Sequence, residues 1–248
     1  MLAFEFRNVI GNPYVHIFGV GMPILMAIII TRAVAGEMGE GEMLTSIVTS
    51  VFLGVGALIP MATIFMGYGI AHAQELEKGI PQRMELFGIR TEVSLANRIL
   101  SELLFMLAAF GIYFVVGYGV VKVKAPTAGG AAAYAICMLV FSGILFCLAH
   151  GIAVLLRKFS RTYCVTMLLY FAMMILGGMM GITYDNMPAV MRAAARLLPV
   201  TYINRDFAAV WSGESYNFMP MVQSYLLLGA VAGILLFVTV RRETRRLH

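Results

Sequence analysis

Charge is scarce in this chain and unevenly placed. Only 12% of the 248 residues are Asp, Glu, Lys or Arg, while 60% are hydrophobic. Residues 8–31, 43–74, 103–121, 125–156, 162–184 and 215–240 contain none of the four charged types. A water-soluble helix keeps one polar face along its whole length, so this pattern excludes a soluble fold. About 20 apolar residues cross the hydrocarbon core of a bilayer, and six such runs predict an all-α membrane protein with six spans. The expected spans are 14–34, 46–73, 99–121, 131–156, 163–183 and 220–240, making residues 1–248 a single transmembrane domain. The longest polar connection, 75–102, is far shorter than the ~100–200 residues of a typical soluble domain.

Other absences narrow the chemistry. No Gly-rich loop ending in Lys-Ser or Lys-Thr is present to cradle a nucleotide phosphate, so ATP hydrolysis is not expected on this chain. No His/Cys group has zinc spacing and no HExxH occurs. The three cysteines, Cys137, Cys147 and Cys164, fall within expected spans. An odd number in apolar settings fits small core fillers rather than a disulfide framework. The apolar run after Arg7 is span-length, with no short segment and cleavage site of a signal peptide. The ionisable candidates inside the spans are His72, His150 and Glu102. Proton- and ion-driven pumps retain such groups despite their cost, so their scarcity argues against that mechanism. His72 and Glu102 sit near span ends, Glu102 can pair with Arg98 four residues earlier, and His150 reads as a helix-contact residue.

The charges that are present set an orientation. Twelve Lys and Arg flank the side that holds both termini, namely Arg7, Lys78, Arg83, Arg90, Arg98, Arg157, Lys158, Arg161, Arg241, Arg242, Arg245 and Arg246. Six flank the other side: Arg32, Lys122, Lys124, Arg192, Arg196 and Arg205. The positive-inside rule then places both termini in the cytoplasm of a multi-pass cell-membrane protein. Because the basic residues lie at span ends rather than on one soluble face, the net charge of +5 does not imply nucleic-acid binding.

Several short segments carry further information. Phe6, Val9, Ile10 and Pro13 recur at helical spacing beside Glu5, Arg7 and Asn8. They predict either an interfacial amphipathic helix or an extension of the first span, with Asn12-Pro13 favouring a break. In 74–88, Pro81 suits a helix start and Gly88 its end, while Ile80, Met84 and Phe87 share one apolar face. That face packs either on neighbouring helix ends or on a partner. Between Pro188 and Pro199 a helix too short to span is expected at the outer surface or dipping back into it. Tyr202, Trp211 and Tyr216 suit an aromatic belt. Gly177/Gly181 and Gly229/Gly233 form small-xxx-small pairs. Met167, Met173, Met174, Met179 and Met180 cluster in and around the fifth span, as core filling or as an adaptable apolar pathway.

Three of these patterns occur in an order that resembles the membrane-spanning permease subunit of type-2 ABC exporters, near the compact drug- and antimicrobial-peptide-export type. They are Arg7…Gly11-Asn12-Pro13 leading to Pro23, Glu75-Leu76-Glu77-Lys78-Gly79…Arg83-Met84, and Met187-Pro188…Leu198-Pro199-Val200-Thr201-Tyr202. The second is similar to that family's coupling-helix motif, with Met84 in a position usually held by Leu. The resemblance implies a membrane subunit that dimerises with a second permease chain, identical or not, to form the substrate pathway. It implies a pair of separate ATPase subunits, which carry ATP and Mg, docking on Glu75, Gly79, Ile80, Arg83, Met84 and Phe87. Met173, Met174, Met179 and Met180 are the pathway candidates. The competing class is a self-sufficient secondary transporter or membrane assembly factor with no ATPase partner.

Overall fold

The computed structural model describes residues 1–38, 41–180 and 182–247. Gly181, one member of an expected glycine pair, lies outside the described residues. Among the described residues, six helices are long and apolar enough to cross a membrane: Ile17–Gly36, Glu42–Glu77, Glu92–Val121, Ala128–Leu156, Phe159–Leu176 and Met219–Arg242. No strand occurs among them.

The second span is the axis of the fold. Its most apolar window is 83% buried, against 22% for the first and sixth spans. Phe52, Leu53, Leu58, Ile59 and Phe65 are sealed inside the protein. The fourth span packs along this axis, the first, third and fifth spans also border it, and the sixth leans on the fourth. Pro60 interrupts the second span because it has no N–H and its ring crowds the carbonyl four residues earlier. The Ala57 N–H reaches Gly54 O at 3.0 Å, and a wider π turn follows over Met61–Tyr68. The tyrosine hydroxyls of neighbouring spans cover carbonyls at this break, Tyr113 donating to Phe52 O (2.8 Å) and Tyr134 to Leu53 O (2.9 Å). Water is absent from a bilayer core, so such carbonyls need protein donors.

Span ends are set by local chemistry. Thr127 caps the fourth span, its Oγ1 accepting from Gly130 N at 3.1 Å. Left-handed residues, Lys122 (φ 58) and Arg157 (φ 50), follow the third and fourth spans. The fifth span closes at Leu176, earlier than the expected 183, because Gly177 caps it and Gly178 turns left-handed (φ 78). These two glycines therefore build a turn, and Gly177 also lets Val200 of the chain that follows approach closely. Gly229 approaches Ile144 of the fourth span, whereas Gly233 faces open space.

The N-terminal helix Leu2–Ile10 is separate from the first span, closed by Gly11 N to Arg7 O at 2.9 Å. It turns Val9 and, against the sequence pattern, Glu5 inward, leaving Ile10 exposed. It lies against the start of the third span. The segments joining spans two to three and four to five gather at the same end, where Phe159 N donates to Glu77 Oε2 at 2.8 Å.

The opposite end is closed by the chain between spans five and six. A short helix Ala189–Ala195 is followed by a longer one, Pro199–Ser212, which the sequence reading did not separate. The longer helix buries Val200, Ile203, Phe207, Val210 and Trp211 against the second and fourth spans. Trp211 and Tyr202 are thus protein contacts rather than a lipid-facing belt. Trp211 is 2% exposed, and its Nε1 donates to Lys124 O at 2.7 Å. Asn204 ties its helix to the second span and the end of the fifth: its Nδ2 donates to Gly177 O (2.8 Å), its backbone carbonyl accepts from Ser50 Oγ (2.9 Å), and its side chain lies on Gly54 where any Cβ would overlap it.

Candidate functional site

The end of the bundle that carries the N-terminal helix combines an unburied short helix with a buried charge cluster. Gly79 leaves the second span in a left-handed conformation (φ 65), and Pro81 enters the first turn of the helix Ile80–Leu86. Gly88 (φ 77) ends it. Arg83 reinforces the entry turn, its Nη2 donating to Lys78 O at 2.6 Å. Nothing on this helix is buried. Its tip, Leu86 and Phe87, is 86% and 84% exposed.

The expected apolar stripe divides. Ile80 and Met84 are half-buried and line a cleft of about 920 Å³ between this helix and the N-terminal helix, whereas Phe87 points away with Leu86. Glu75 does not join the short helix at its surface. It faces back into the bundle and pairs with Arg98 of the third span.

Arg98 is the hub of the charge cluster. Its guanidinium also lies 3.8 Å from Glu5 and 5.5 Å above the Tyr68 ring. The expected Arg98–Glu102 pair does not form, because Arg98 is drawn across to Glu75 and Glu5 on other helices. Burial pushes the Glu5 carboxyl above its ordinary range, opposed by the Arg98 charge. His72 stands 3.6 Å from Glu75. His150 is not isolated: it shares a 2.6 Å hydrogen bond with the Tyr68 hydroxyl and stacks on His72 at 4.9 Å between ring centroids. Tyr68, His72 and His150 form an aromatic column roofing the cleft, extended by Phe146 at 4.3 Å from Tyr68. The sequence offered one signal for half of this column, the helical spacing of Tyr68 and His72. Their meeting with His150 depends on how two distant spans pack.

The four methionines proposed for a pathway separate into two settings. Met173, Met174 and Met179 are buried in the core of the single chain, and Met180 is half exposed.

Among the described residues, six membrane-length helices, the second buried among the others, with short helices closing both ends, define a multi-pass helical membrane protein. The sequence model of the family described as ABC-2 type transporter matches residues 1–210. The chain belongs to that family, and is the transmembrane component of an ABC transporter. Among curated proteins, none matches the chain.

Proposed function

We propose that this permease works as an exporter subunit, pairing with a second permease chain to enclose the substrate pathway and taking its energy from separate ATPase subunits. ATP and Mg²⁺ belong to those subunits. In this reading both termini, the Ile80–Leu86 helix and the Arg157–Arg161 turn face the cytoplasm of the cell membrane, consistent with the distribution of Lys and Arg. The observation that carries the reading is the short helix itself. Gly79, Pro81 and Arg83 set its start at the end of the most buried span, and it presents Leu86 and Phe87 to solvent. A motor that grips this tip pulls directly on the axis of the fold. Of the four methionine pathway candidates, Met180 is the exposed one and so the one of those four placed to meet cargo.

The test is co-purification of the ATPase subunit from membranes. Each exposed apolar side chain that becomes buried at a docking surface contributes about 1.5–3 kcal/mol. Leu86→Asp with Phe87→Asp should therefore weaken docking by about two to four orders of magnitude, while leaving the permease folded. Retention of the ATPase at wild-type stoichiometry would move the docking role elsewhere, to the 157–161 turn. Transport by the permease without ATP would instead return the self-sufficient transporter.

A further inference from the structure

A second cavity, about 390 Å³, lies on the other side of Arg98 from the cleft. The N-terminal helix, the start of the first span, the second and third spans and the start of the fifth enclose it. Phe18, Met66, Phe159 and Met167 supply apolar wall, and Arg7 and Asn8 stand at the exposed mouth. Two π turns border it, Ile17–Gly21 through Phe18 and Met61–Tyr68 through Met66. Such turns are frequent at functional sites.

Glu102 lines this cavity. It is 2% exposed, and its Oε2 has no hydrogen-bond partner. Arg98 also lines the cavity, but its one guanidinium is shared among three carboxylates. Glu5, Glu75 and Glu102 surround the single guanidinium of Arg98, and that guanidinium is committed to Glu75 and Glu5. A buried carboxylate that only shares a counter-charge and forms no ion pair of its own is costly and takes up a proton or a cation. No three metal-ligating side chains converge to hold a metal among the described residues, and most of the wall is apolar. We infer that the cavity binds an amphiphilic organic cation, its ammonium group meeting Glu102 and its apolar body lying against Phe18, Met66 and Met167. Binding requires only the folded permease, so it is independent of the coupling assignment. That the bound amine is cargo rests on the exporter reading.

The test uses purified permease in phosphatidylcholine nanodiscs with three dansyl probes read by fluorescence anisotropy. They are dansyl-cadaverine, which bears a primary ammonium, its neutral N-acetyl derivative, and an anionic dansyl-aminohexanoate. The ammonium probe should bind at least about tenfold more tightly than the neutral one, as a charge-assisted contact predicts. Glu102→Gln, which preserves shape, should abolish that preference without changing affinity for the neutral probe. Met167→Trp should weaken both by filling the cavity. Equal affinity of wild-type protein for ammonium and neutral probes would overturn the inference, as would a preference that survives Glu102→Gln. Equal or tighter binding of the anionic probe would assign the cavity to an acidic headgroup held by Arg7 and Arg98. If Glu102→Gln fails to fold, the wild-type preference and its response to Met167→Trp still decide the question.

Discussion

Arg98→Leu should be among the most damaging single substitutions in the chain, and the reason is electrostatic. Arg98 is 6% exposed, and its removal strips a cation from Glu75, with which it pairs, and from Glu5 at 3.8 Å. Removing one partner of a buried ion pair typically costs about 3–5 kcal/mol, because the other charge stays buried and unpaired. Replacing both partners by apolar residues is far milder, so Glu75→Leu combined with Arg98→Leu should recover at least half of the loss. Glu5 does not cancel this recovery, since burial already favours its protonated form. Denaturant titration in mixed micelles can measure the effect through fluorescence of Trp211, the chain's one tryptophan, which is buried at the opposite end of the bundle. A response there reports cooperative loss of the whole fold. Arg98→Leu within about 1 kcal/mol of wild type would match an exposed pair and refute the reasoning. So would a double variant as unstable as the single one.

Other outcomes follow from particular contacts. The raised Glu5 pKa means that folding favours its protonated form, so its stabilising share is full below the ordinary value of 4.5 and is lost as pH rises through the folded value. Glu5→Gln should flatten that part of the stability–pH curve and stabilise the protein at neutral pH, and an unchanged slope in pH-resolved titrations would count against it. Gly54→Val should cost about 1–3 kcal/mol by overpacking against Asn204, and Asn204→Ala should partly rescue it in the same titration. Cysteines introduced at Gln82 and Glu214, both exposed and at opposite ends of the bundle, should be labelled from the cytoplasmic and external sides respectively. Labelling of both from one side would sink the topology.

Six spans were legible because transferring a charge into hydrocarbon is costly enough to leave long uncharged runs. The boundaries at Gly79, Pro81 and Gly88 were legible because left-handed turns and helix starts make local demands on residue type. Where the sequence reading failed, the decisive partner was distant. Trp211 looked like a headgroup anchor, but the same amphipathic character serves a helix that meets protein, and Lys124 O supplies its acceptor. Glu5 looked solvent-facing until Arg98 was brought beneath it by the third span. The i, i+4 spacing of Arg98 and Glu102 permitted a pair, yet two carboxylates from other helices competed for the same guanidinium. The fifth span was drawn too long because Gly177 and Gly178 are apolar by composition but act through backbone conformation.

The buried second span has a consequence for how the protein is made. Synthesis delivers Glu42–Glu77 to the membrane well before the fourth span and the Pro199–Ser212 helix that wrap it. Until the third and fourth spans arrive, the carbonyls of Phe52 and Leu53 lack the hydroxyls of Tyr113 and Tyr134, and the notch at Gly54 awaits Asn204 of the later helix. The axis of the protein is therefore inserted early and completed last, in a provisional setting of lipid and insertion machinery. Damage to the late Pro199–Ser212 helix should accordingly surface as quality-control clearance of a chain whose early half is unaltered.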